Sequence, residues 1–239
     1  MTPAHAKVSV LVAVKESGGL LRGCLESLRD QTILREAEIV VIDSSSTDRD
    51  KKIACGYQKK FPQFQYLFVK EEGLFHAWNI GIRASEGQYL TNLNSDDRLK
   101  NDALEIMSRT LDRAPEIALV YADSLITEKA DETFEKNSSG GRTFGWPHYS
   151  HARLLRGCFC GPHPMWRRKL HDEMGYFDPS FRLDGDYEFW LRIAEKYPLR
   201  RIPQALGLFY ANPKCLRALH PELKRPEDLK IKRRYLSSR

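Results

Sequence analysis

Apolar and polar positions follow two rhythms along this chain, and the switches between them mark out its elements. Residues 8–14, Val-Ser-Val-Leu-Val-Ala-Val, form a near-continuous apolar run, the pattern of a strand buried on both faces. Ser17-Gly-Gly breaks it, and Leu20, Leu21, Cys24, Leu25 and Leu28 then fall at helical spacing. The alternation repeats. Residues 38–43 read as a second buried strand, 49–61 as a helix stopped before Pro62, 66–69 as a third strand and 74–84 as a helix closed by Gly87. A fourth strand opens at Tyr89 and runs toward two adjacent carboxylates, Asp96 and Asp97. Strands alternating with helices predict an α/β fold, a doubly wound, mostly parallel sheet flanked by helices, with right-handed crossovers.

The second part is less regular. A helix is predicted over 101–113 and a strand over 117–121, followed by a polar, glycine-containing excursion at 127–157. A strand falls within 159–168 and a turn at 177–181. Asp184 opens an amphipathic helix that can turn Phe189, Trp190 and Ile193 to a core, and 199–210 is extended. Residues 1–100 and 101–212 read as two halves of one domain, with 213–239 as a tail. A chain of 239 residues can bury the core that such a domain needs.

Composition narrows the class. With 41% hydrophobic and 29% charged residues the chain is globular, and no apolar run approaches the ~20 residues of a membrane span. The N-terminus lacks the apolar stretch of a signal peptide. Five irregularly spaced cysteines argue against a disulfide framework and for reduced thiols in the cytoplasm. The net charge of +6 sits in the tail, where nine Lys/Arg (214, 217, 224, 225, 230, 232, 233, 234 and 239) face three acids. Such a tail suits an anionic membrane surface or an acidic partner, or is simply a solvated helix face. The body offers no basic groove for nucleic acid.

The candidate chemistry is acidic. Asp43 and Asp96 end buried strands, and open α/β sheets bind ligands at the carboxyl ends of their strands. Carboxylate oxygens there suit Mg²⁺ or Mn²⁺. Asp43 can also accept the imide N–H of a uracil or thymine. The plainer readings are a helix cap at 96–97 and an Asx turn at 43. No glycine-rich dinucleotide fingerprint and no phosphate-cradling lysine loop follows the first strand, which disfavours dehydrogenases and P-loop ATPases. Asp186 falls in the first turn of its helix, where the dipole favours a carboxylate; it is either a helix-start acid or a general base. Cys158-Phe-Cys-Gly-Pro-His-Pro-Met-Trp166 matches no common zinc module. His163 and Trp166 read as the wall of a sugar or acceptor pocket, or as packing.

Four segments together resemble family 2 glycosyltransferases of the GT-A fold. Residues 38–48, Glu-Ile-Val-Val-Ile-Asp-Ser-Ser-Ser-Thr-Asp, are similar to the family's first nucleotide-binding motif, and 72–87 to the helix before its metal motif. Asn94-Ser-Asp-Asp97 resembles its Asp-x-Asp region, and Gly185-Asp-Tyr-Glu-Phe-Trp-Leu-Arg192 the segment with its catalytic base. The resemblance spans roughly 7–210 in the right order. It implies a nucleotide-sugar-binding half at 1–100, with Val14 (through its backbone), Glu16, Asp43, Asn79 and Asn94 on the nucleotide. Asp96 and Asp97 would hold a divalent cation, Mn²⁺ or Mg²⁺. An acceptor half at 101–212 would supply Asp186 as base. The implied activity is inverting transfer from a nucleotide-diphospho-sugar, a UDP-sugar being favoured, to a saccharide or lipid-linked acceptor in cell-surface polysaccharide or glycan assembly. The expected location is the cytoplasm, with peripheral contact at the inner face of the membrane. Asn94 stands where the family usually has an acid, Ala13 and Glu16 where it has proline and asparagine, Ser44 where it has a second acid, and Gly185 where an acid often precedes the base. A module that binds nucleotide-sugars without turnover is therefore the second reading. A nucleotidyltransferase would need a glycine- and arginine-rich phosphate loop that 15–19 does not supply.

Overall fold

The computed structural model describes residues 6–17, 19–44, 48–70 and 73–236. In chain order these form β1 (Val8–Val14), α1 (Leu21–Arg29), β2 (Ala37–Ser44), α2 (Asp48–Lys60), β3 (Phe64–Val69), α3 (Leu74–Ala84) and β4 (Tyr89–Asn92). Then come β5 (Arg98–Leu99), α4 (Ala103–Asp112), β6 (Leu119–Thr127), β7 (Thr143–Phe144), α5 (His151–Leu154), β8 (Met165–Arg167) and α6 (Leu170–Met174). The chain closes with α7 (Gly185–Ala194), β9 (Leu199–Tyr210), α8 (Leu216–Leu219) and α9 (Pro221–Leu236).

The strands join one sheet in the order β3-β2-β1-β4-β8-β6-β9-β5, with β7 paired to β6. The first four are parallel, as the alternating pattern predicts. Beyond β4 the sheet is mixed rather than mostly parallel. β8 runs antiparallel to both β4 and β6, β9 is parallel to β6, and β5 is antiparallel to β9. The expected strand from Tyr89 ends at Asn92. The acidic segment leaves the sheet there, and Arg98–Leu99 rejoins it against the distant β9.

Period-two burial explains the layers. Val8, Val10, Val12 and Val14 of β1 face one core with α1, α2 and α4, while Leu11 faces the other with α3, α7 and α9. α1 buries Leu21, Cys24, Leu25 and Leu28 in one stripe. Truncating a fully buried leucine such as Leu25 to alanine would cost about 2–5 kcal/mol. The opposite layer is dense with rings: Trp166, Trp190, Phe177, Phe189 and His171 meet stacked, tilted or edge to face at centroid distances between 4.8 and 6.2 Å. The basic tail is no free strap. Ile231 and Tyr235 of α9 are buried in this second core, and the cations line the helix's other faces. Among the described residues, no helix is long and apolar enough to cross a membrane.

Candidate active site

β1 has β2 on one side and β4 on the other, so the parallel strand order reverses at β1 and a crevice opens at the strands' carboxyl ends. Asp43 stands at that edge. It is the second-last residue of β2, in register with Val14, and almost fully buried. Its Oδ2 accepts the Tyr66 hydroxyl at 2.7 Å. Burial and this bond raise the Tyr66 hydroxyl well above its usual range. Val14 buries its side chain, leaving only backbone to offer a ligand. Glu16 is exposed and left-handed, with φ of 48°. Of the 38–48 motif, residues 45–47 lie outside the described residues.

Ser17 fixes the loop after β1, a role that strand and helix patterning does not reveal. Its N–H and hydroxyl donate to the two oxygens of Asp50 at 2.9 and 2.5 Å, tying the loop to the first turn of α2. The one available signal was the acid at the helix start.

On the other flank, Asn94, Ser95 and Asp96 are partly exposed while Asp97 is fully buried. Asp97 accepts the Tyr210 N–H at 3.0 Å and the Asn94 amide at 3.0 Å. Burial, with Asp96 adjacent, raises its carboxyl well above the usual range. One oxygen thus joins this turn to the end of β9 and the other closes the turn on Asn94, so Asp97 points away from the accessible edge where Asp96 stands. Asn94 is tied to it by the same bond. Asp96 keeps an accessible carboxylate, oriented by the Asn212 amide at 2.8 Å on Oδ2. Arg98 braces the turn from beneath, donating to the Asp97 carbonyl at 2.8 Å and the Ser95 carbonyl at 3.4 Å. A Cβ on Gly23 would lie 2.4 Å from the Arg98 guanidinium, so a larger residue in α1 would have to displace that side chain.

Among the described residues no three His, Cys, Asp or Glu side chains form a metal cluster. The donor set fits only a cation completed by its substrate. One carboxylate, from Asp96, with diphosphate oxygens and water is a usual Mg²⁺ or Mn²⁺ arrangement.

Asp186 begins the third group. It is half-buried in the first turn of α7, and its Oδ1 accepts the Tyr187 N–H at 2.8 Å. Burial pushes its carboxyl up to about 6; neighbouring Asp184 adds to this, and the Tyr187 N–H and Arg217 oppose it. Arg217 of α8 pairs with Asp184 at 2.5 Å. Sequence reading left Arg217 among the tail charges.

Three expected contacts are placed elsewhere. Asn79 is buried and bonds both N–H and C=O of Phe177, at 3.0 and 2.8 Å; it latches α3 to the segment before α7 instead of facing a nucleotide. Trp166 is fully buried in the aromatic layer and donates to His171 at 2.9 Å, so it forms no pocket wall. His163 is buried against Gly207 of β9, where a Cβ would lie 2.4 Å from its ring. Neither of its ring nitrogens has a hydrogen-bond partner among the described residues, and burial lowers its pKa to about 3. A neutral ring beneath β9 is its placement, not a surface facing sugar.

Comparison with known proteins fits this geometry. A family model described as glycosyl transferase family 2 matches residues 9–175. The chain is 26% identical over 195 residues to chondroitin synthase of Escherichia coli, covering 82% of this chain and 27% of that protein. The chain therefore spans about a quarter of that relative's length. Among solved structures, S. aureus TarS in complex with UDP-GlcNAc superposes with a TM-score of 0.69 at 19% identity, over 86% of this chain and 59% of that one. Mannosyltransferase PcManGT from Pyrobaculum calidifontis, in complex with GDP-Man and Mn²⁺, gives 0.68 at 18%, over 95% and 63%. These two likenesses establish the fold, a mixed sheet with flanking helices of the GT-A kind.

Proposed function

The chain belongs to glycosyl transferase family 2, and from that premise we propose that it is an inverting transferase that moves a sugar from a nucleotide-diphospho-sugar to an acceptor hydroxyl. The observation that carries the reading is Asp186, a half-buried carboxylate at the start of a helix, which burial raises to about 6. A general base works best with a pKa near the working pH.

Asp43 accepts the base N–H of the nucleotide, a UDP-sugar being favoured, and the Val14 backbone lies alongside. Asp96 would hold the divalent cation, which would neutralise charge on the diphosphate. Asp186 takes the proton of the acceptor hydroxyl. The acceptor oxygen bonds the anomeric carbon from the face opposite the diphosphate, the bond to the phosphate oxygen breaks, and its electron pair leaves with the nucleoside diphosphate. One displacement inverts the anomeric centre. Support for this donor class comes from the neighbours solved with UDP-GlcNAc and with GDP-Man and Mn²⁺. Chondroitin synthase among the relatives supports a saccharide acceptor and polysaccharide assembly. The cations around α9 support peripheral contact with an anionic membrane.

The test is thermal unfolding with UDP-, GDP-, dTDP- and CMP-sugars, each with Mn²⁺ and with EDTA. A ligand bound only by the native state raises the midpoint by mass action. A shift with one nucleotide class that EDTA abolishes is the expected result. No shift with any donor would overturn the reading. A shift without nucleoside diphosphate release would favour a binding module that has lost turnover.

A further inference from the structure

The start of α7 lacks the cap its sequence would supply. Asp184 occupies the N-cap position, but its side chain makes no capping bond and pairs instead with Arg217. The backbone donors ahead of the helix are taken by a carboxylate from far along the chain. Glu227 of α9, 7% exposed, accepts the N–H of Arg182 at 2.7 Å, of Leu183 at 2.9 Å and of Asp184 at 2.8 Å. Three consecutive peptide donors on one carboxylate form an anion-binding nest. Here the anion belongs to the protein, so the nest becomes a mechanical link. The helix start is packed from α3 as well, because a Cβ on Gly185 would lie 2.7 Å from the Phe75 ring. One turn further on, α9 grips α7 again. Arg234 and the Tyr235 hydroxyl each reach Glu188 at 2.8 Å. Asp186 lies between these two grips, two residues from each.

We propose that Glu227 is a positioning residue for sugar transfer: by binding three consecutive N–H groups ahead of α7 it fixes the helix start that presents Asp186 to the acceptor. The inference rests on the reading of Asp186 as the base. It makes the C-terminal helix part of the reacting geometry, Glu227 acting through Asp186 and not on a substrate. A displacement of about 1 Å at a reacting group can cost on the order of 10²-fold in rate without altering the binding of the other substrate.

The test uses the full chain carrying Glu227→Gln, which loses the charge and sets an NH2 donor against at least one of the three N–H groups. Ile231→Val serves as a control that loosens the same helix without touching the nest. Hydrogen exchange of the amides at 182–184, which needs no donor, should accelerate by about tenfold or more in Glu227→Gln, with sheet amides unchanged. Release of UDP from UDP-GlcNAc with Mn²⁺ should show kcat falling by about 10- to 100-fold with the donor KM within about twofold. Ile231→Val should lower the unfolding midpoint and leave kcat alone. Unchanged protection at 182–184 would overturn the proposal, as would a kcat that tracks only the folded fraction. Asp186→Asn separates the two readings. If it retains release, the base assignment falls; if it is inactive while Glu227→Gln is fully active, only the positioning role falls.

Discussion

The two acidic regions of the molecule are held in place by opposite means. Asp43 is positioned by regular strands: β1, β2 and β3 pair in unbroken parallel register, and Asp43 emerges at their shared edge. Asp186 is positioned by cross-links from distant chain, through Arg217, Glu227, Arg234 and the latch of Asn79 on Phe177 98 residues away. Asp96 lies between these cases, following a regular strand but oriented by Asn212, 116 residues on. The first means gives a rigid edge, the one at which we propose that the donor binds. The second gives a carboxylate whose environment, and so whose proton affinity, is set by several separate segments. Donor binding should therefore survive damage to the second region, and turnover should not.

The largest effect expected is on turnover. Asp186→Asn should lower nucleoside diphosphate release by about 10²- to 10⁴-fold, since it removes the proton acceptor. Next is donor affinity. Asp43→Ala should weaken donor binding by about 10- to 100-fold, the worth of a hydrogen bond to a charged group, read by titration calorimetry. A third change sharpens the contrast. Asn79→Ala removes two buried hydrogen bonds and should cost about 2–4 kcal/mol in urea unfolding, with donor affinity unchanged. Selective loss of donor affinity there would instead return Asn79 to the nucleotide site.

The smallest effect is on pH dependence. The Asp186 carboxyl, raised to about 6, must be ionised to act, so kcat/KM should fall as pH drops through about 6. The stability sign is opposite. The folded protein binds this proton more tightly than the unfolded chain, so the group's stabilising contribution is complete below the ordinary aspartate range and is lost as pH rises through about 6. Asp186→Asn should accordingly gain on the order of 1–2 kcal/mol at pH 7, visible as a raised midpoint that fades in acid.

What the sequence disclosed follows the same division. The alternation of strand and helix up to Ala84 predicted α3 at its observed limits, and β1 and β2 to within a residue, because each element buries a periodic face against its neighbours. The carboxylates at strand ends could be found because strand ends are legible. The mixed second half was not. β5 is two residues long and β8 three, each made a strand by a partner far away rather than by its own pattern. Burial also misled at three positions. Trp166, Asn79 and His163 are polar-tipped or aromatic groups beside site motifs, and only packing shows that they face inward. Asp97 is the sharpest case: next to the accessible Asp96, it turns the other way to bond Tyr210. The brace on α7 joins a helix to a tail that reads as surplus charge, and no local pattern links Glu227 to Leu183.

The most direct test of this division of labour is calorimetric titration of UDP-GlcNAc with Mn²⁺ into the wild-type protein, Asp43→Ala and Asp186→Asn. The account predicts binding by the wild type and by Asp186→Asn with dissociation constants within about threefold, and at least about tenfold weaker binding by Asp43→Ala. Binding lost in Asp186→Asn and kept in Asp43→Ala would contradict it, because the donor would then be held by the region assigned to the base.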